Sequence, residues 1–318
     1  MRALWLEEQQ LAYRTDLPIP QPAPNEALIR TRLAGICGTD MEMLKGYYPY
    51  TGVPGHEFVG EVVDARSAPQ LVGKRVVGEI NIVCGECVHC LAGRPTHCLN
   101  RKALGINGKN GVFADYFTLP VENLHLVPEN VADESAVFTE PLAAAVEILE
   151  QVHIHPANRV LVVGAGRLGQ CIAQALSLTG AQLEVVTRYE RQRVLLAQRG
   201  IAAISESNIL PGTMDVVVDA TGSPGGFEVA RKAVRPRGTL VLKSTYAGNL
   251  DFDASSLVVD EITLIGSRCG PFAPTLRLLA QKLMSPALLI DRIYPLSDGL
   301  EAFEKAAEHG VFKILLTT

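Results

Sequence analysis

A glycine pattern in the second half of the chain constrains its fold more than any other feature. Residues 159–169 read RVLVVGAGRLG, so a β-branched run leads directly into G-x-G-x-x-G, and a helical stretch follows over 170–178. A strand, a glycine turn and a helix in this order are typical of a dinucleotide-binding unit. Gly164 permits the tight turn, Gly166 lets backbone amides approach a pyrophosphate, and Gly169 lets the helix pack close to the strand. The predicted cofactor-binding residues of this loop are Gly164, Gly166, Arg167, Leu168 and Gly169.

Strands and helices continue to alternate after this motif. Helices are predicted at 189–198 and 227–234, among predicted strands at 183–187, 215–219, 239–243 and 261–265. Because such alternation produces parallel strands joined by helical crossovers, the pattern predicts an α/β, doubly wound parallel sheet.

The end of the second predicted strand bears on the cofactor. An NAD-binding unit usually places an acid there, which accepts a hydrogen bond from the ribose 2′-OH. Here the strand runs into Thr187 and Arg188, and Arg191 and Arg193 follow one turn on. Since arginine pairs well with phosphate, these residues predict that NADP is preferred over NAD. The alternative is a solvated basic helix start, and Glu190 is the nearby acid that could reverse the preference.

Four of the seven cysteines lie within fifteen residues, at Cys84, Cys87, Cys90 and Cys98. In a cytosolic chain this clustering favours metal binding over disulfides. Four thiolates form a closed tetrahedral zinc shell without a position for substrate, so the predicted zinc is structural. Reactive or disulfide-bonded cysteines and an iron–sulfur site are the alternatives.

Three segments of the N-terminal half carry candidate ligands for a second metal. They are GICGTD at 35–40, GHE at 55–57 and TEPLA at 139–143. A catalytic zinc has three protein ligands of N, S or O type and one open position. Cys37, His56 and a carboxylate would supply those ligands, and together they predict an open metal site.

Taken in their order along the chain, these motifs resemble those of the zinc-dependent medium-chain alcohol and polyol dehydrogenases, and they cover essentially the whole chain. Further matches are GHEFVGEVV at 55–63, DATG at 219–222 and the tail over 295–313. The chain is most similar to the sorbitol, threonine and glucose dehydrogenase branch, in which a glutamate replaces a cysteine ligand.

The resemblance implies roles for individual residues. Cys37, His56 and one or both of Glu57 and Glu140 would hold the catalytic zinc. Thr39 would contact the substrate oxygen and begin a proton relay. Glu42 stands where many relatives carry a relay histidine, so it is either a relay residue or a solvated acid.

The resemblance also implies a split architecture. Residues 1–143 and 271–318 would form a β-rich, GroES-like catalytic domain with the four-cysteine lobe at 84–98, and residues 144–270 a Rossmann coenzyme domain. Two Zn²⁺ per chain and a homodimer or homotetramer are expected. The implied activity is reversible hydride transfer between NAD(P), preferably NADP, and an alcohol, polyol or sugar hydroxyl.

Other activities stay open within this framework. They are a biosynthetic dehydrogenase acting on one bulky hydroxyl-bearing precursor, a zinc-free reductase, and an NADPH-binding protein without catalysis. Tyr47, Tyr48 and Tyr50 either border the substrate pocket or pack under a loop.

Composition excludes other classes of partner. The net charge of −5 argues against a nucleic-acid binder, which needs a basic surface. No apolar run reaches the roughly 18–20 residues that span a bilayer, and the N-terminus does not have the pattern of a secretory signal. We therefore expect a cytoplasmic protein whose partner is a small-molecule substrate.

Overall fold

A computed structural model describes residues 1–47, 49–245 and 249–318. The strands, numbered along the chain, are β1 (Ala3–Glu7), β2 (Gln10–Arg14), β3 (Glu26–Gly35), β4 (Glu57–Asp64), β5 (Arg75–Gly78), β6 (Asn81–Ile82), β7 (Lys102–Leu104), β8 (Gly108–Lys109), β9 (Tyr116–Pro120), β10 (Leu124–Leu126), β11 (Arg159–Val163), β12 (Gln182–Val186), β13 (Ala202–Ile204), β14 (Met214–Asp219), β15 (Val234–Leu242), β16 (Thr263–Gly266), β17 (Ile290–Pro295) and β18 (Lys313–Thr317). The helices are α1 (Gly38–Leu44), α2 (Val88–Leu91), α3 (Asp133–Ala136), α4 (Thr139–Gln151), α5 (Arg167–Ser177), α6 (Glu190–Ala197), α7 (Pro224–Ala233), α8 (Ser255–Val259), α9 (Phe272–Ala280) and α10 (Gly299–Ala307).

These elements belong to two compact units. We call Met1–Glu140 with Phe272–Thr318 the split unit, and Pro141–Pro271 the continuous unit. The boundaries predicted from sequence were 143/144 and 270/271. No helix of the described residues is both long enough and apolar enough to cross a membrane.

The split unit is built on a seven-stranded sheet in the order β10-β5-β4-β3-β18-β17, with β9 also paired to β3. The strand β3 is its centre, because β4, β9 and β18 all pair with it in antiparallel fashion. Residues near both ends of the described chain therefore meet in one sheet.

Aromatic residues fill the core of the split unit. The rings of Phe58 and Phe117 lie 4.7 Å apart in an edge-on arrangement, and those of Phe113 and Phe303 lie 5.7 Å apart at 90°. Edge-to-face pairs at these distances are the favoured packing of aromatic rings. Phe303 lies on α10, so this contact packs α10 against the segment that precedes β9.

The continuous unit contains a six-stranded parallel sheet in the order β13-β12-β11-β14-β15-β16. Residues 160–163 of β11 are all buried, as expected for a strand covered by helices on both faces. The predicted doubly wound sheet is confirmed.

Several details of this unit differ from the prediction. The short strand β13 was not predicted, and β15 begins at Val234 rather than at residue 239. The helix α7 begins three residues earlier than predicted, because the Ser223 side chain accepts a hydrogen bond from the Gly226 N–H at 3.3 Å and Pro224 occupies the first helical position.

Candidate active site and cofactor site

Three predicted metal ligands lie together in the split unit. One donor atom from each of Cys37, His56 and Glu57 falls within 4.8 Å of the others. Cys37 immediately precedes α1, whereas His56 and Glu57 lie at the start of β4. His56 and Glu57 are 3% and 1% exposed. A half-buried thiol together with a buried imidazole and a buried carboxylate forms a donor set that suits a catalytic zinc.

Strand register makes room for the carboxylate. Gly35 on β3 is the direct partner of Glu57 on β4. A Cβ atom on Gly35 would lie only 2.4 Å from Glu57 Oε2. Any larger residue at position 35 would therefore displace the carboxylate from the cluster.

Asp40 lies behind the cluster, and the sequence analysis did not single it out. It is fully buried; its Oδ2 accepts a hydrogen bond from the Cys37 N–H at 2.8 Å, and its Oδ1 lies 3.4 Å from His56 Nδ1. Histidine ligands of metals usually direct their second ring nitrogen at a carboxylate in this way. Its position in GICGTD, beside Thr39, was the available signal.

The charges around His56 suit a cation. Burial lowers the pKa of His56, but its interactions with Asp40 and Cys37 outweigh burial and raise the pKa well above its usual value. Within the described residues, His56 Nδ1 and Asp40 Oδ1 are buried without a hydrogen-bond partner. Because this buried site favours positive charge and offers N, S and O donors, its residues fit a zinc ion.

Lys313 reaches the same cluster from β18. Its Nζ lies 2.5 Å from Glu57 Oε2 and donates to the Ile36 carbonyl at 3.3 Å. The two side chains of this ion pair are 4% and 1% exposed. The sequence analysis placed Lys313 only in the matching tail, since nothing local signals a pairing across 256 positions.

The two predicted relay residues have different surroundings. Thr39 is half-buried, and its Oγ1 lies 3.9 Å from Cys37 Sγ. Glu42 is 41% exposed, and its Oε1 accepts a hydrogen bond from Lys45 Nζ at 2.8 Å. Thr39 therefore lies beside the metal donors, whereas Glu42 forms an ion pair on the surface of α1.

Glu140 lies in the first turn of α4 and is half-buried. Among the described residues, it does not belong to the group of donor atoms around Cys37. The structure thus brings Glu57, but not Glu140, into that group.

The tyrosines before the GHE motif do not share one environment. Tyr50 donates a hydrogen bond from its hydroxyl to the Val53 carbonyl at 2.7 Å. Burial and, second, the charge of Asp40 raise the pKa of Tyr50. Tyr47 is 41% exposed, and Tyr48 lies outside the described residues. Tyr50 therefore packs its own loop.

The four clustered cysteines also converge. The sulfur atoms of Cys87 and Cys90 lie 3.5 Å apart, as do those of Cys84 and Cys98, and the four lie within 4.8 Å of one another. Sulfurs at about 2.3 Å from a tetrahedral zinc are separated by about 3.8 Å, whereas a disulfide requires about 2.05 Å. All four thiols are free, so the geometry fits a closed zinc shell.

Backbone N–H groups in this lobe donate hydrogen bonds to cysteine sulfurs, which stabilises the thiolate form. The N–H groups of Cys84 and Asn100 each donate to Cys98 Sγ at 3.3 Å. Hydrogen bonds from the Cys90 and Leu99 backbone lower the pKa of Cys87 to about 6. Burial raises the pKa of Cys90 to about 12. A bound cation would stabilise the remaining thiolates, as zinc does when it displaces thiol protons.

The glycine loop of the continuous unit has the geometry that the sequence predicts. Gly164 has φ +101°, a conformation that side chains rarely adopt. A Cβ atom on Gly169 would lie 1.9 Å from the Gly164 carbonyl oxygen, so α5 packs directly on the turn. Gly166 caps α5, and a Cβ atom there would meet no heavy atom of the described residues within 4 Å. The N-terminal turn of α5 is therefore open to an anion.

The residues after β12 contain no acid at the strand end. Thr187 is 4% exposed, and its hydroxyl accepts a hydrogen bond from Arg193 Nε at 3.2 Å. The Arg188 side chain is exposed and makes no hydrogen bond or ion pair in the described part of the chain. Glu190 is 77% exposed, and Arg193 lies 3.4 Å from it. Three arginines, Arg188, Arg191 and Arg193, thus follow this strand, and the acid among them, Glu190, is paired with Arg193.

Comparisons with known proteins identify the family. Residues 23–129 match the alcohol dehydrogenase GroES-like domain, and residues 168–283 match the zinc-binding dehydrogenase family. The chain is 30% identical to a D-arabitol-phosphate dehydrogenase of Enterococcus avium, over 96% of this chain and 94% of that protein. The chain belongs to the zinc-dependent medium-chain dehydrogenases.

Solved structures agree with this assignment. A protein from Sinorhizobium meliloti, described as a zinc-binding dehydrogenase bound to NADP, is 28% identical with a TM-score of 0.92, over 100% of this chain and 99% of that one. An Escherichia coli alcohol dehydrogenase complexed with NADH is 26% identical, with the same TM-score and coverage. The predicted family, fold class and enzyme class are confirmed. The two structures hold different cofactors, so they do not decide between NADP and NAD.

Proposed function

We propose that this enzyme transfers hydride reversibly between NADP and a polyol or sugar hydroxyl, with the corresponding ketone or aldehyde as the reverse substrate. The observation that carries the proposal is the buried group of Cys37, His56 and Glu57 donors. The matched polyol dehydrogenase acts, by its name, on a polyol phosphate, which supports this substrate class.

Each residue of the site has a defined task in this proposal. Cys37, His56 and Glu57 hold the catalytic zinc, and Asp40 orients the His56 imidazole. When bound, zinc supplies a Lewis acid that lowers the pKa of an alcohol hydroxyl. Thr39 Oγ1, 3.9 Å from Cys37 Sγ, would relay the substrate's hydroxyl proton, accepting it while its own hydroxyl proton passes to water. A bound nicotinamide would supply the hydride acceptor.

The cysteine lobe has a separate role. Cys84, Cys87, Cys90 and Cys98 hold the second, structural zinc, and their four sulfurs leave no position for substrate. We place no catalytic step there.

The preference for NADP rests on the residues after β12. Arg188 and Arg193 supply positive charge and planar donors for a 2′-phosphate. The Thr187 hydroxyl fixes Arg193 through their 3.2 Å hydrogen bond. An acid that would accept from a ribose 2′-OH is missing from this strand end.

Fluorescence titration with NADPH and NADH tests the cofactor assignment. We expect NADPH to bind at least tenfold more tightly, which corresponds to about 1.4 kcal/mol. Arg188→Ala should remove most of this preference while leaving NADH affinity unchanged. Arg237→Ala is the matched control, because Arg237 is 78% exposed and pairs with Glu261. Tighter binding of NADH by the wild-type protein would refute the preference.

Turnover tests the substrate class. With the preferred coenzyme, a panel of polyols, sugars, hydroxy acids and simple secondary alcohols should give the highest kcat/KM for a polyol or sugar. A single bulky precursor as the best substrate would support the biosynthetic alternative instead.

A further inference from the structure

Two glutamine side chains connect the glycine loop to the turn that follows β12. Gln170 lies on α5 and is 2% exposed, whereas Gln192 is half-buried in the first turn of α6. Gln170 Nε2 donates to the carbonyl oxygens of Ala165 and Gln192, at 3.4 Å each. Ala165 lies between the first two glycines of the loop. One buried amide therefore joins the two segments that would contact a dinucleotide.

The Gln192 side chain holds the turn itself. Its Oε1 accepts hydrogen bonds from the N–H groups of Arg188, at 2.8 Å, and Tyr189, at 3.2 Å. Tyr189 is the N-cap residue of α6. The Arg188 backbone is thus fixed, although the Arg188 side chain is exposed.

Helix stability explains only part of this network. A glutamine in the first turn that reaches back to the N-cap N–H is a common helix cap. Such a cap does not require a bond from α5, where Cys171, Ile172 and Ala173 beside Gln170 are apolar and buried. A buried amide costs free energy unless it is hydrogen-bonded, and an apolar side chain at position 170 would avoid that cost. The network therefore points to a need for a fixed separation between the loop and the turn.

A dinucleotide would contact both segments at once. Its pyrophosphate would lie at the N-terminal turn of α5, and its adenosine ribose at the end of the second strand. Since both groups belong to one ligand, the separation between loop and turn decides where the 2′-position of the ribose lies relative to Arg188. Pairing of a guanidinium with a phosphate is strongly geometric, because it uses two parallel hydrogen bonds.

We propose that Gln192 is a positioning residue for the choice of coenzyme, and that Gln170 anchors it to the glycine loop. This inference rests on the proposed function, which assigns NADP to the site. Gln192 fixes the backbone from which the Arg188 side chain extends, so the turn does not have to become ordered when a 2′-phosphate binds. Order that exists before binding improves affinity by removing that cost. NADH has no 2′-phosphate and does not benefit.

Titration with NADPH and NADH tests this role without a turnover measurement. Gln192→Ala should lower NADPH affinity about threefold or more, the size of a lost net hydrogen-bond contribution, and leave NADH affinity unchanged. Gln198→Ala is the matched control, because Gln198 is exposed at the C-terminal end of the same helix. Its ratio of NADPH to NADH affinity should equal that of the wild type. The nucleotides 2′,5′-ADP and 5′-AMP should repeat the pattern, since they carry the adenosine end with and without a 2′-phosphate.

Two further comparisons separate positioning from fold stability. In an Arg188→Ala background, Gln192→Ala should not change the affinity ratio further, because Gln192 acts through Arg188; a double-mutant cycle measures this. Gln170→Met removes the bridging amide and keeps an unbranched side chain that an apolar core accepts. It should lower the preference for NADPH in the same direction. Urea unfolding establishes that each variant is folded.

The possible failures are distinguishable. A wild-type protein that binds NADH as tightly as NADPH would refute the cofactor assignment itself. A wild-type preference for NADPH that is undiminished in folded Gln192→Ala would refute only the role of Gln192. The same conclusion follows if Gln192→Ala weakens both coenzymes equally, or if its effect on the ratio persists without the Arg188 guanidinium. An undiminished preference in folded Gln170→Met would refute the anchoring by Gln170.

Discussion

Substitution by alanine should affect different properties at two glycines of the nucleotide loop. Gly169→Ala places a methyl group 1.9 Å from the carbonyl oxygen of Gly164, where real Cβ contacts under 3.0 Å essentially never occur. Gly166→Ala places one where no described heavy atom lies within 4 Å. The first change should therefore damage the fold, and the second should affect only the cofactor.

The magnitudes follow from these distances. In Gly169→Ala the helix α5 must move by about 1 Å from a backbone atom that cannot yield, which places the cost near the upper end of overpacking, about 3 kcal/mol. Alanine regains about 1 kcal/mol of helix propensity. The net loss of about 2 kcal/mol lowers the melting temperature by roughly 4–8 °C.

Gly166→Ala has a milder structural cost. Its φ of −74° and ψ of −164° suit any residue, and alanine at a helix N-cap costs about 1 kcal/mol or less. Its methyl group occupies the space through which a pyrophosphate approaches, so NADPH affinity should fall at least tenfold, or about 1.4 kcal/mol.

Thermal unfolding and NADPH fluorescence titration are run on both variants. Equal destabilisation by the two substitutions would contradict the packing argument for Gly169. Undiminished NADPH binding by Gly166→Ala would show that the cofactor does not lie against this loop.

Other predictions concern the metals and the pH dependence of stability. Cys37→Ser should reduce turnover about 100-fold or more while NADPH affinity is kept, because a Lewis acid contributes several kcal/mol to such a reaction; full steady-state activity would contradict this. Cys98→Ser should remove one zinc equivalent and lower the free energy of unfolding by more than about 2 kcal/mol, as metal content and urea unfolding would measure. Burial raises the pKa of Asp215, but hydrogen bonds from the Arg159 N–H and Arg235 Nε outweigh it and lower that pKa. Its stabilisation is present above the ordinary value of about 3.9 and is lost as pH falls through the lower folded value. Asp215→Asn should therefore cost about 1 kcal/mol at about pH 7, and the cost should shrink as the pH falls below about 3.9, by urea unfolding.

Local signals explain what the sequence could predict. The strand, turn and helix around Gly164 depend on neighbouring residues, and the structure has them in that order. The four cysteines likewise lie close in sequence. The strand β13 was missed because it has only three residues and is defined by pairing with β12 rather than by any apolar period.

The features that the sequence could not predict depend on contacts between residues far apart in the chain. The pair of Lys313 and Glu57 arises only once β18 lies beside β3. Glu42 was left between two roles, although Lys45 three residues later was a local sign of a helical ion pair. The oligomeric state and the cytoplasmic location stay predictions.

The order of the two units along the chain affects how the protein is made. The continuous unit has all of its strands once residue 271 has been synthesised, whereas the split unit still lacks β17 and β18. Domains generally fold as units during translation. On the ribosome, Cys37, His56 and Glu57 are therefore synthesised before Lys313. While the nascent chain still lacks β18, the Glu57 carboxylate is without the Lys313 ammonium that lies 2.5 Å from it in the folded protein.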